Sequence, residues 1–176
     1  MRTSLVMTVI AEDRPSLVDA ISGVIAEHNG NWLESRMSRL GGQFAGIIRV
    51  EVPAEKQEQL VESLRALDAS GLKVSVHLDA PLARRGDDFR ILEVVGHDRP
   101  GIVHQISRAL ARNGVNVEEL SSEVASAAMS GEPLFKARAK VLLPEGCDPE
   151  RLQQELEKVA ADLIVELSFA RAVQGP

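Results

Sequence analysis

The sequence predicts an α+β protein made of two consecutive βαββαβ units, each an antiparallel sheet with both helices on one face. Three observations carry this reading. The segment Ala11-Glu12-Asp13-Arg14-Pro15-Ser16-Leu17-Val18 returns in the second half as Gly96-His97-Asp98-Arg99-Pro100-Gly101-Ile102-Val103. Each copy follows an apolar run, precedes an amphipathic helical pattern, and is followed at one common spacing by an asparagine, Asn31 and Asn116. Both halves then run through strand-like and helix-like periodicity in the same order. Motif, helix length and re-entry into the next strand all agree, which marks an internal repeat. Such a unit closes in the ferredoxin-like way, because each helix must cross over between strands that run parallel to each other.

The elements follow from the pattern. Leu5–Ala11 reads as a buried strand, and Leu17, Val18, Ile21, Val24 and Ile25 recur at helical spacing after a proline. That helix ends near Asn29-Gly30. A strand from Asn31 to Leu40, the turn Gly41-Gly42 and a strand with Phe44, Gly46, Ile48, Val50 and Val52 on one face form a hairpin. Pro53-Ala54-Glu55 opens a second helix with Leu60, Val61, Leu64 and Leu67 on one stripe. The alternation of Leu72, Val74, Val76 and Leu78 with polar residues then marks a strand buried on one face only. In the second half, Ile102, Val103, Ile106, Ala109 and Leu110 reproduce the first helix, which Asn113-Gly114 ends. A strand from Val115, a polar connection over Ser126 to Glu132, and a strand carrying Phe135, Ala137, Ala139, Val141 and Leu143 follow. A helix after Asp148-Pro149 uses Leu152, Leu156 and Val159, and the last strand holds Leu163, Val165, Leu167 and Phe169. The expected division is a first domain over 1–79, a linker over 80–88 that lacks either periodicity, and a second domain over 89–176.

Composition bounds the function. At 176 residues and 44% hydrophobic content, the chain has apolar material for two cores of roughly 80 residues each, mostly aliphatic, since it has four Phe, one Trp and no Tyr. A net charge of −6 without a long basic run argues against direct nucleic-acid binding. The segment from Met1 to Ile10 is too short and too soon interrupted by Glu12-Asp13-Arg14 to be a signal peptide or a membrane span, so no membrane association and a cytoplasmic location are expected. Cys147, the one cysteine, cannot form an internal disulfide.

Asp98-Arg99-Pro100-Gly101, the helix, and Asn116 at the start of the next strand resemble the signature of an ACT domain, a small regulatory module that in many proteins binds amino acids. The resemblance covers nearly the whole chain, twice. Asn31, Glu34-Ser35-Arg36, Arg39-Leu40-Gly41 and Phe44 further resemble tandem-ACT proteins of the glycine cleavage system regulatory, or repressor, type. The resemblance implies an amino-acid ligand, with glycine or serine the first candidates. It also implies a transcriptional activator protein as partner, and a homodimer, since ACT modules usually pair.

The residues allow a ligand site of Asp98, Arg99, Pro100, Gly101, Ile102 and Asn116. Pro100 suits the first helical position, and Gly101 leaves neighbouring backbone N–H groups open to a carboxylate. Asp98 either pairs with an ammonium group or satisfies the donors of its own turn. Asn116 either binds a ligand through its amide or is a turn residue, and Gly101 either opens the helix start or allows close helix–strand packing. Asp13, Ser16 and Asn31 form a possible second site in which Ser16 stands where the other repeat has glycine, so its hydroxymethyl group narrows the mouth or adds a hydrogen bond. Arg36 and Arg39 are a weaker candidate partner surface, and Lys136, Arg138 and Lys140 form a basic stripe that is either solvated or a contact face. His97, Asp98 and His104 lack further ligands at metal-binding spacing. No nucleophile–base set, phosphate-binding loop or dinucleotide fingerprint is present, so neither catalysis nor a cofactor is expected. The two leading functions are an amino-acid sensor acting through a transcriptional partner and a detached regulatory subunit of a metabolic enzyme.

Overall fold

The structure is a computed structural model that describes residues 1–80, 87–126 and 131–172. The chain divides into two compact units, Met1–Leu82 and Ala83–Pro176. The first runs β1 (Arg2–Glu12), α1 (Leu17–Glu27), β2 (Asn31–Leu40), β3 (Gln43–Pro53), α2 (Gln57–Ala66) and β4 (Lys73–Leu78), with single 3-10 turns on either side of α2. The second repeats the order as β5 (Asp88–His97), α3 (Ile102–Arg112), β6 (Asn116–Ser126), β7 (Pro133–Leu143), α4 (Pro149–Leu163) and β8 (Val165–Arg171). The sheets are ordered β2-β3-β1-β4 and β6-β7-β5-β8, with every neighbouring pair antiparallel. These are two tandem ferredoxin-like domains of the α+β class.

Alternation along the strands makes each core one-sided. Leu5, Met7, Val9 and Ala11 of β1 and Ile48, Val50 and Val52 of β3 are buried with Leu17, Ile21 and Ile25 of α1 and Leu60 and Leu64 of α2 in one aliphatic cluster. The second unit does the same with Leu92, Val94, Ala139 and Val141 beneath Ile102, Ile106, Leu110, Leu152 and Leu156. Each fully buried aliphatic side chain contributes roughly 1.5–3 kcal/mol. Both first helices end on a left-handed residue, Asn29 at φ 57° and Gly114 at φ 68°. Beyond it, the Gly30 and Val115 amides donate back to Ile25 and Leu110. Even the irregularities repeat: β2 shifts register between Trp32 and Glu34, and β6 between Val117 and Glu119.

Several boundaries differ from expectation. β1 starts earlier, at Arg2, because Ser4, Thr3 and Arg2 continue the ladder to Pro53 although they add no apolar residue to the core. Leu78 is 64% exposed, at the end of an edge strand. Of the expected linker, residues 81–86 lie outside the described residues, and Asp88 already belongs to β5. In the connection over 126–132, residues 127–130 likewise lie outside them, while Ser126 is the last residue of β6. Cys147 packs against the second core, where burial chiefly raises its thiol pKa and so disfavours the thiolate.

The start of β5 is pinned electrostatically. Arg90 Nε and Nη2 donate to Asp88 Oδ1 and Oδ2 at 2.9 and 2.8 Å, and Arg171 of the neighbouring β8 lies 3.8 Å away. The hydrogen bonds from Arg90 hold the Asp88 carboxyl below its ordinary value, against the opposing effect of burial. A carboxyl depressed in the folded state gives stability that is present above its unfolded pKa and disappears as the pH falls through the folded one. Asp88→Asn should therefore cost about 1 kcal/mol in urea melts at pH 7, discounted for partial exposure. The two proteins should converge below about pH 3; an equal gap at both pH values would contradict the pairing.

Candidate functional site

Each unit leaves its central strand through a turn set by one backbone conformation. Gly101 has φ 94° and ψ −3°, and Ser16 has φ 73° and ψ 10°. These are the angles of the third residue of a type II turn, whose second position favours proline, here Pro100 and Pro15. The helices consequently begin two residues later than Pro-led starts would: Gly101 and Ser16 are the N-caps, and Ile102 and Leu17 the first helical residues. Pro100 is thus outside the helix, because a left-handed residue cannot join a right-handed one. A Cβ on Gly101 would meet only Gln105 Nε2, at 3.8 Å, so backbone angle and not helix–strand packing selects glycine there. Neither N-cap side chain accepts from a first-turn amide, Gly101 having none to offer. Among the described residues no first-turn amide donates to the Asp98 carboxylate either.

The two turns differ in what their charged residues do. In the first unit Arg39 Nε of β2 lies 2.6 Å from Asp13 Oδ2, and Arg14 Nη2 donates to the Ser70 carbonyl at 2.5 Å. The turn holds its own charges. In the second unit Val124 stands on β6 where β2 has Arg39, and among the described residues neither Asp98 nor Arg99 has a side-chain partner. Asp98 is fixed only through its backbone, its amide donating to the Pro133 carbonyl at 3.1 Å. An exposed carboxylate, an exposed guanidinium and the uncapped first turn of α3 therefore lie within a few residues of one another.

Not all the expected site residues come together. Asn116 pairs in register with Leu142, whereas His97, beside the turn, pairs with Leu134 at the other end of β7. Asn116 thus sits at the end of the sheet opposite Asp98, and its Nδ2 donates to Glu118 Oε1 at 2.6 Å. Asn31 is separated from Asp13 in the same way, opposite Glu51 while Glu12 is opposite Gln43. The reason is the helix: eleven residues at 1.5 Å each carry the chain back along the sheet before the asparagine is reached. The Ile102 side chain is 2% exposed and belongs to the core, so it is not part of the exposed turn surface. Arg36 pairs with Glu34 at 2.6 Å, so both arginines of the candidate partner surface have acidic neighbours.

An apolar cavity beside α3 carries no motif. It lies between that helix and the strands, lined by Val103, Leu110, Val117, Leu120, Phe135 and Ala139 among others. Its signal was comparative: matching positions of the repeats differ in size, as with Ile48 and Ala139, and only registered strands show which positions correspond.

Models of the ACT domain match residues 3–77 and 90–135. The chain belongs to the ACT-domain family. Its tandem arrangement is shared with a protein from Galdieria sulphuraria, with TM-score 0.87 and 26% identity over 98% of this chain and 100% of that one. The fold also matches a protein named as a glycine cleavage system transcriptional repressor, with TM-score 0.71 and 18% identity over 98% of each chain. Phosphoserine phosphatase SerB2 of Mycobacterium tuberculosis is 24% identical over 95% of this chain, which spans only 40% of that enzyme's length. Among the described residues no helix is long and apolar enough to cross a membrane.

The shared turn geometry of these ACT repeats makes a direct prediction. Ser16 occupies a conformation that costs a non-glycine residue about 1–2 kcal/mol, partly offset by the flexibility glycine adds to the unfolded chain. Ser16→Gly should raise stability by about 0.5–1 kcal/mol, and Gly101→Ala should lower it by about 1 kcal/mol, in urea unfolding. Destabilisation by Ser16→Gly would contradict the left-handed turn.

Proposed function

We propose that this ACT protein is a regulatory amino-acid sensor of the glycine cleavage regulator type, and that its second repeat is the one that responds to ligand. The observation that supports this is the contrast between the turns. Asp13 and Arg14 are engaged by their own domain, while Asp98 and Arg99 face solvent beside the uncapped start of α3. A ligand ammonium group complements Asp98, and a carboxylate complements Arg99 and the first-turn amides.

Asn116 joins such a site only from another ACT repeat. An edge strand laid antiparallel against β6 brings its first residue to the end of the sheet where Asp98 lies, because β5 and β6 run in the same direction. The long, exposed β6 edge is open to such pairing, and a homodimer through this kind of contact completes the site. The acidic chain then acts on transcription through an activator protein in the cytoplasm, without touching nucleic acid itself. A second reading, the regulatory portion of a metabolic enzyme, is supported by the match to SerB2, in which a tandem of this length makes up less than half of an enzyme.

Isothermal titration across the amino acids, with glycine and serine first by family resemblance, tests the binding reading. About one site per chain is expected. Asp98→Asn should weaken binding at least tenfold, and Asn116→Ala should cost about 0.5–1.5 kcal/mol, a few-fold in affinity. Two equal sites, or a larger loss for Asn31→Ala than for Asn116→Ala, would overturn the assignment to the second repeat. Capture of partners from the native host separates the two readings, by returning a transcription factor or an enzyme.

A further inference from the structure

Registered strands allow the two helix-facing surfaces to be compared position by position. In the first repeat Trp32 and Met37 pack against the core beside the fully buried Ile48. Met37 sits so closely over Gly46 that a Cβ there would come within 2.6 Å of its Cγ. The matching positions of the second repeat are Val117, Ser122, Ala139 and Ala137, so tryptophan, methionine and isoleucine have become valine, serine and alanine. Leu120 for Ser35 and Ala137 for Gly46 return part of that volume, Leu120 at the rim of the space and Ala137 by one methyl. The helix above does not close the gap, since Val18 and Val103 are equally exposed, at 46% and 45%.

What remains is a cavity of about 50 Å³ between α3, β6 and β7. Its walls are apolar, with Ser107 as the polar exception, and the Ser107 hydroxyl is satisfied by the His104 carbonyl at 3.0 Å. Water gains few hydrogen bonds in such a space, and at roughly 10–15 Å³ for each small group the cavity has room for about four heavy atoms. Ile102 and Val103, the first two residues of α3, form its end next to the turn. The lip is apolar as well: Leu120 is 55% exposed and Val117 40%.

We propose that the ligand of the second repeat is an amino acid with a branched aliphatic side chain, which seats in this cavity while its charged groups meet the turn. The inference rests on the amino-acid-sensor reading and narrows it. Glycine and serine would leave the cavity unfilled, and an aromatic ring exceeds it. The first repeat has Trp32 and Ile48 where Val117 and Ala139 line this cavity, which gives a second reason for it not to bind.

The test is a titration series on the full chain with glycine, serine, alanine, valine, isoleucine, leucine and phenylalanine. Affinity should rise roughly fourfold for each methyl or methylene buried, so that leucine or isoleucine, with four more carbons, exceeds glycine by about 250-fold, and fall again at phenylalanine. Ala139→Ile, which installs the first repeat's residue, should cost leucine at least tenfold more than it costs glycine, with urea melts confirming that the variant folds. The series on the unmodified protein stands without the variant. If glycine or serine binds as tightly as leucine, the cavity is not the side-chain site and the sensor reading survives alone. A preference for leucine that a folded Ala139→Ile variant retains would also overturn the assignment. If no amino acid binds, both readings fall.

Discussion

A single left-handed residue turns each central strand into the helix that covers it. Ser16 at φ 73° and Gly101 at φ 94° end the strand's direction and start the helix within one step, and the preceding prolines fix the approach. From that turn the helix can run only back along the sheet, where Ile21 and Ile25, or Ile106 and Leu110, meet the buried faces of the strands. The same turn leaves the helix N-cap without a side-chain partner and carries the charged pair Asp-Arg at its mouth. Chain reversal, core formation and the candidate site all depend on this one backbone conformation.

On this common scaffold the repeats have separated by side chain. The first has spent its polar groups internally: Arg39 reaches from β2 to Asp13, and Arg14 reaches to Ser70. Its strand β2 also supplies Trp32 and Met37 to the core. The second has Val124 in place of Arg39 and Ser122 in place of Met37, and keeps both a free carboxylate and an unfilled apolar space. The surface ion pair contributes little to stability, about 0–1 kcal/mol. Its consequence is occupancy, since a carboxylate already paired with a guanidinium competes poorly for an ammonium. A duplicated module can in this way close one turn and leave the other open, without changing an element of the fold.

Much of this was legible in the chain. The repeat, the order of elements, the Gly41-Gly42 hairpin and the Asp148-Pro149 helix start are local, because each depends on periodicity or on a residue whose backbone preference is strong. Asp148 does cap α4, accepting from the Glu150 and Arg151 amides. The site was legible only in part. Spacing placed Asn116 at a fixed distance in sequence from Asp98, but a helix lies between them and converts that spacing into separation across the sheet. Pro100 looked like a first helical residue because proline suits both that place and the second position of a type II turn; only the φ of Gly101 decides. Partners such as Arg39 for Asp13 depend on strand register, and the cavity depends on which small residues face each other. Neither carries a sequence pattern.

The central claim is that two copies of one fold present one closed turn and one open site. Amide chemical-shift mapping of the full chain during titration with leucine tests it residue by residue. Perturbations should gather at Asp98 to Ser107 and at Val117, Leu120 and Ala139, while Asp13 to Ile21 and Trp32 to Arg39 stay unmoved. Equal shifts at the two turns, or shifts confined to the first, would contradict the account.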